Sequence, residues 1–456
     1  MAITAPALAP APAPAPLTRV EPNQRRQSGR DTGIDLVRAC CVIGVVVLHA
    51  MMVGVTVVDG RPLFENVSDR TAWIAPVSWV LQVMPLFFVI GGFAGLLAYR
   101  RQRAQGWSAI AFVAGRLHRL MLPAVVTIGV VGAGLVLLAA AGVPADLVTM
   151  AGFRYGQPLW FLGVFLCCQA LLPALAAAHD RAPLMTIGAL ATTAVLVDVL
   201  RAATGVDGFG FINLLFVWAA LQQLGFSLAD GTIDGSSRRT RVLVGVGAVV
   251  VLAVACAAGV YSADLVANIN PPTTALFLVG IAHTAALSLF RARLARVSER
   301  PRVASFTAFV TRRTMTIYLW HMPVLLAMAG ASAVFALATG FVLPAPDSAV
   351  WWLGRPLWVV AALGLTAAVA MVFSRIEAVP MPTATASPRR IVGATIVALL
   401  AVVLLLVVGT SALTAGAAVV LILVALRTAS SSVRREAAMS PGRVRCDASG
   451  RRGSSR

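Results

Sequence analysis

Lysine is missing: all 37 basic residues of this 456-residue chain are arginine, a bias that looks more like a GC-rich genome than a functional choice. Charge of any kind is scarce, at 12% of residues. The six cysteines make no disulfide framework, because Cys40 and Cys41 are adjacent, Cys167 and Cys168 are adjacent, and all four lie inside apolar runs. Cys256 is intramembrane in the same reading and Cys446 lies in the tail, so no zinc spacing arises and no metal is expected. The chain also lacks the alternating segments of about ten residues that a transmembrane barrel needs. A net charge of +19 would ordinarily suggest nucleic acid, but the arginines flank apolar runs and do not share one soluble face, so no nucleic-acid partner is expected.

What the chain has is apolar length. Hydrophobic residues make up 59% of it, and runs of roughly 17 to 25 residues, each able to cross about 30 Å of hydrocarbon as a helix, recur along almost the whole sequence. The expected fold is all-α, a polytopic transmembrane helix bundle. Spans are predicted at 34–56, 73–98, 120–141, 158–178, 183–200, 209–228, 241–260, 273–290, 312–339 and 350–373, a ten-helix core within residues 31–375. The stretch 391–426 is too long for one ordinary span and has Gly409, Thr410 and Ser411 near its middle, so it is read as two additional helices.

Arginine placement agrees with twelve spans. With a cytoplasmic amino terminus, the inside connections carry Arg100, Arg101, Arg103, Arg116, Arg119, Arg181, Arg238, Arg239, Arg241 and the later groups at 291–302 and 375–390. The outside connections carry Arg61, Arg70, Arg154 and Arg201. Both termini are thus expected in the cytoplasm, in a multi-pass protein of the inner, cytoplasmic membrane. Residues 1–30 include an Ala/Pro run that favours extended polyproline II and cannot form a secretory leader, so they are read as a disordered Arg-rich arm. Residues 427–456 are read as a disordered basic tail.

The first span holds three ionisable residues, Asp35, Arg38 and His49, where such groups are rare and usually face a cavity or the bundle interior. Arg38 and His49 are eleven residues apart, three turns plus about 20°, and Asp35 falls within about 40° of His49, so the three form one polar stripe. His49 lies roughly 16 Å along the axis from Arg38, where a desolvated imidazole is expected to be neutral and able to accept a proton. A purely structural alternative stands beside this: Asp35 and Arg38 as a helix-start ion pair, His49 as a packing residue.

The segment from Arg30 through Asp35 and Arg38 to Val47-Leu48-His49 resembles the opening of the membrane acyltransferase-3 family, with its Asp-x-x-Arg segment and Arg-x10-His spacing. Pro85-Leu86-Phe87-Phe88-Val89-Ile90-Gly91-Gly92-Phe93 resembles the family's second-helix signature, except that Gly91 stands where serine is usual. Arg116-Leu117-His118-Arg119 is similar to its Arg-x-x-Arg motif, expected at the entrance to the third helix. Leu159-Trp160-Phe161-Leu162 resembles its Trp-Phe segment, and Tyr318-Leu319-Trp320-His321 its late Tyr-x-x-His segment.

The resemblance implies transfer of acyl groups other than amino-acyl groups, usually acetyl from acetyl-coenzyme A (acetyl-CoA), onto hydroxyls of envelope carbohydrates or other extracytoplasmic acceptors. Polysaccharide modification by O-acetylation is one such reaction. The acyl-CoA is a co-substrate, and no bound cofactor is expected. Arg116 and Arg119 are then donor-binding candidates, cations suited to phosphates. His49 is a general base or a nucleophile, Arg38 holds the donor or the developing charge, and Asp35 orients Arg38. His321, Tyr318 and Trp160 are candidates for a second acid or base or for acceptor contacts, with a hydrogen-bonding packing role as the alternative for His321 and an interfacial aromatic anchor as that for Trp160. His118 is expected to be interfacial, and His179, His283 and Asp198 structural. Some relatives carry a fused hydrolase-like domain; here such a partner would be a separate extracytoplasmic protein. A different class of function, a transporter or flippase of a lipid-linked or small solute, suits a twelve-helix bundle, though neither internal repeat nor paired broken helices is evident.

Overall fold

A computed structural model of the protein describes residues 31–431, apart from 70 and 72. The arm 1–30 and residues 432–456, including Cys446, lie outside the described residues. Among the described residues, twelve helical segments are long and apolar enough to cross a membrane, and the molecule is an all-α polytopic bundle. In chain order the helices are α1 (Thr32–Met52), α2 (Ile74–Leu81), α3 (Met84–Ala104), α4 (Ala109–Ala140), α5 (Ala145–Gly156), α6 (Trp160–Arg181), α7 (Pro183–Thr204) and α8 (Asn213–Ala229). They continue as α9 (Thr232–Gly235), α10 (Arg238–Ala257), α11 (Thr274–Ser298), α12 (Pro301–Arg312), α13 (Thr314–Thr339), α14 (Ala349–Phe373), α15 (Pro388–Val407) and α16 (Ala412–Ala429).

Local chemistry sets the boundaries. Asp31 caps α1, its carboxylate accepting from the Ile34 amide at 3.0 Å. The helix stops at Met52, four residues before the predicted end, because the Val-rich continuation pairs as an antiparallel hairpin of β1 (Val53–Val58) and β2 (Arg61–Asn66). Its turn, Asp59-Gly60, has positive φ at both residues (49° and 72°), as a type I′ turn requires. The predicted span 73–98 is two helices: the chain breaks at Gln82 and Val83 and restarts with Pro85 in the first turn of α3, where a missing amide costs nothing. Gln82 in turn donates to the Leu265 carbonyl at 2.8 Å.

Helix α4 begins well before the expected position 120, capped by Ser108, so Arg116 and Arg119 sit on the helix and not at its entrance. The division within 391–426 falls at Gly409 (φ 88°), after which Ser411 and Thr414 cap α16 reciprocally. Because α16 runs to Ala429 and the Ser431 amide donates to the Thr383 carbonyl at 2.8 Å, residues 427–431 are ordered and not part of a disordered tail.

The largest apolar core joins α4, α5 and α6 to α15 and α16 through Leu117, Met121, Ile128, Leu162, Ala398 and Ile422. Elsewhere α3 and α8 cross closely: a Cβ on Gly92 would stand 2.2 Å from the Gln222 carbonyl oxygen, and one on Gly225 2.0 Å from that of Val89. Glycine at both positions is what lets the two backbones touch. The apolar side chains left exposed on α7, α10 and α14, such as Leu196, Val251 and Leu357, suit contact with lipid.

Candidate functional site

Helices α1, α3, α4, α6 and α13 enclose a cavity of about 200 Å³. Arg38, Arg116, Arg119, Tyr318 and His321 line it, together with Gln169, Thr311, Thr314 and Glu377. Of the predicted stripe on α1, Arg38 faces the cavity directly. Asp35 is buried and reaches it through Arg38, whose Nη1 donates to the carboxylate at 3.0 Å. His49 is not part of the lining; its ring meets that of His321 edge-on, with centroids 4.9 Å apart.

The two histidines share one hydrogen-bond arrangement. His49 Nδ1 lies 2.9 Å from the Val45 carbonyl, and His321 Nδ1 bonds the Tyr318 carbonyl. A carbonyl only accepts, so Nδ1 carries the proton on both rings, and in each neutral imidazole the lone pair is left on Nε2. His321 is 1% exposed, and its Nε2 is buried with no partner. A buried polar atom of this kind is uncommon unless something else is to fill it.

The charged end of the cavity lies at the other extreme of α1. Arg116 is half-buried with its Cζ 4.9 Å over the Phe112 ring, and Arg119 is exposed. Neither makes an ion pair among the described residues, whereas Arg100, nearby in sequence, is tied to Asp180 at 2.6 Å and to Asp230. Glu377 lies at the same end. It accepts from the Thr316 amide at 2.7 Å and from the Thr316 hydroxyl, holding the first turn of α13 in place. Glu377, Thr311 and Thr314 carry no motif in the sequence: Glu377 arrives from the turn after α14, and the two threonines from the junction of α12 and α13.

Gly91 lines the cavity, and a Cβ there would stand 3.0 Å from Phe165 Cε2. Serine in its place would therefore need that ring to yield. Tyr318 spends its hydroxyl on the Pro158 carbonyl at 2.6 Å, tying α13 to the turn before α6. Trp160 does not line the cavity; it packs beside Trp218, ring centroids 5.4 Å apart, and Phe161.

Two of the residues read as structural, His179 and Asp198, have structural partners. His179 is buried between Gln223 Oε1 at 2.8 Å and Asp230 Oδ2 at 3.0 Å. Burial works against ionisation of Asp230, but hydrogen bonds from Arg100 and His179 hold its carboxyl below the usual range. Asp198 accepts from Asn213 Nδ2 at 2.8 Å, the Tyr261 hydroxyl at 3.0 Å and the Thr274 amide at 2.8 Å, stapling the loop before α11 to α7. His118 is half-buried, and His283 Nδ1 is buried without a partner.

A family model described as an acyltransferase domain matches residues 31–375. No curated protein and no solved structure matches the chain.

Proposed function

Since the chain belongs to the acyltransferase-3 family, we propose that it moves an acyl group, acetyl in the simplest case, from acyl-CoA to a hydroxyl of an envelope carbohydrate, glycolipid or similar acceptor. The observation that carries this reading is the cavity itself: arginines at one end, and at the other an imidazole whose Nε2 has no partner. Arg116 and Arg119 suit the phosphates of the donor, and its long flexible arm suits the passage between them and His321. Arg38, oriented by Asp35, suits the negative charge of the donor on its way through the cavity.

In the proposed step His49 Nε2 takes the proton of the acceptor hydroxyl, and the hydroxyl oxygen forms the new ester bond to the acyl carbon. The carbon–sulfur bond breaks, and coenzyme A leaves as a thiolate that takes up a proton. The imidazolium of His49 returns that proton, and His321, edge-on to His49 with its lone pair on Nε2, is the candidate for a second base or for holding the acceptor in line. The same reading puts the donor mouth and both termini in the cytoplasm of a cell with an inner membrane.

The test is transfer from labelled acetyl-CoA by purified protein reconstituted with an envelope extract. The reading expects an alkali-labile label in the extract and an equal amount of free coenzyme A. Transport of a solute or lipid with the thioester left intact would contradict it and favour the transporter alternative.

A further inference from the structure

At the end of α1 opposite the arginine mouth lies a charged group that the chemistry above does not use. Arg355, in the second turn of α14, is 7% exposed. Its Cζ sits 3.4 Å from the centre of the Trp351 ring and 5.1 Å from that of Trp358. One nitrogen, Nη1, donates to the carbonyl of Ala50 at 3.2 Å, and among the described residues no carboxylate pairs with it. Beside it, Trp358 Nε1 is buried and has no partner. Trp358 itself packs against two buried clusters, one with Ala50 of α1 and Met322 of α13, the other with Val55 of the hairpin and Ala329 of α13.

Part of this has a structural explanation. The Ala50 carbonyl belongs to the last turn of α1, whose acceptors lack helical partners, and a cation is favoured at that end of a helix. Capping one carbonyl needs one N–H and no net charge, however, and a neutral amide would do it. A guanidinium brings a full charge and four further donors. Aromatic faces return less than the burial of an unpaired cation costs. A buried indole N–H without an acceptor, beside a guanidinium that has donors beyond the one given to Ala50 and no carboxylate, fits an anion.

We propose that Arg355 and Trp358 form an acceptor subsite, taking a carboxylate or phosphate carried by the acyl acceptor. The proposal rests on the acyltransferase reading and adds the acceptor's class: an anionic molecule, entering from the hairpin end while the donor enters from the arginine end. The carbonyl that Arg355 binds belongs to the residue following His49, so an anion seated there holds the rest of the acceptor beside the proposed base.

The experiment uses labelled acetyl-CoA and a membrane extract from cells lacking the protein, with wild-type protein, Arg355→Met, Arg355→Lys and Trp358→Phe. The labelled product is expected to bind an anion exchanger. Loss of binding after carbodiimide and borohydride reduction identifies a carboxylate; loss after phosphate-ester cleavage identifies a phosphate. Arg355→Met and Trp358→Phe should raise the half-saturating amount of extract by about tenfold or more, as expected for a lost charge-assisted or buried hydrogen bond. The KM for acetyl-CoA should stay within about twofold, and Arg355→Lys should recover part of the loss. If Arg355→Met fails to insert, Trp358→Phe, which removes only an N–H and part of a ring, carries the same comparison. A neutral product, or equal loss towards both substrates, overturns the proposal. Failure of the wild type to consume acetyl-CoA overturns the acyltransferase reading and this inference with it.

Discussion

His49 and His321 each commit Nδ1 to a carbonyl of their own helix, which leaves Nε2 as the reactive nitrogen of both. His49→Ala should therefore lower acyl transfer by about 10²- to 10⁴-fold, the usual contribution of a general base, with membrane insertion unchanged when assayed by protease protection; retained activity would remove His49 from the chemistry. The donor arginines predict a different signature. Arg119→Gln, at the exposed mouth, should raise the KM for acyl-CoA by roughly 10- to 100-fold, one charge-assisted hydrogen bond, with little change in kcat. An effect on kcat alone would place Arg119 outside donor binding. At this scale the pairing of Asp35 with Arg38 was legible, because i, i+3 spacing on a helix needs no tertiary information, whereas the position of His49 outside the cavity lining was not. The contact of His49 with His321, the hydrogen bonds of Glu377 and the unpaired Arg355 were not, since each depends on which helices become neighbours.

Helix α1 ends where apolar character does not. Residues 53–58 are as hydrophobic as the helix before them, so hydropathy alone extends the span to 56, whereas β-branching and the Asp59-Gly60 turn select a hairpin. The break at Gln82 and Val83 escaped for the same reason: its cause is a proline inside an apolar run and a long-range bond from Gln82 to Leu265. The crossing of α3 and α8 yields a sharper expectation. Gly225→Ala would put a methyl group 2.0 Å from the Val89 carbonyl, so it should destabilise the protein by at least about 1–3 kcal/mol. Thermal unfolding in detergent would register this as a clear fall in Tm, and an unchanged Tm would mean that the helices separate readily at this point. Gly247, whose Cβ would meet nothing within 4 Å, is the matched control.

Seen as a whole, the molecule is more integrated than a ten-helix unit with two helices added. The family match stops at residue 375, yet α15 and α16 share the main core with α4, α5 and α6, and Gly152 lies so close to the Thr410 carbonyl that a Cβ would stand 1.8 Å away. A chain ending at residue 380 is therefore expected to lose stability and donor binding together, because α4 carries Arg116 and Arg119; a truncated protein of full activity would show that the pair is dispensable. The number of spans and the division of the last stretch could be read from length, arginine placement and Gly409, whereas the packing of that pair against α4 could not. The central claim is that a thioester reaches the two histidines from the arginine end. Its most direct test is a structure with a non-hydrolysable acyl-CoA analogue. The account predicts phosphates beside Arg116 and Arg119 and the acyl carbon next to His49 and His321; an analogue bound elsewhere, with the cavity unoccupied, would contradict it.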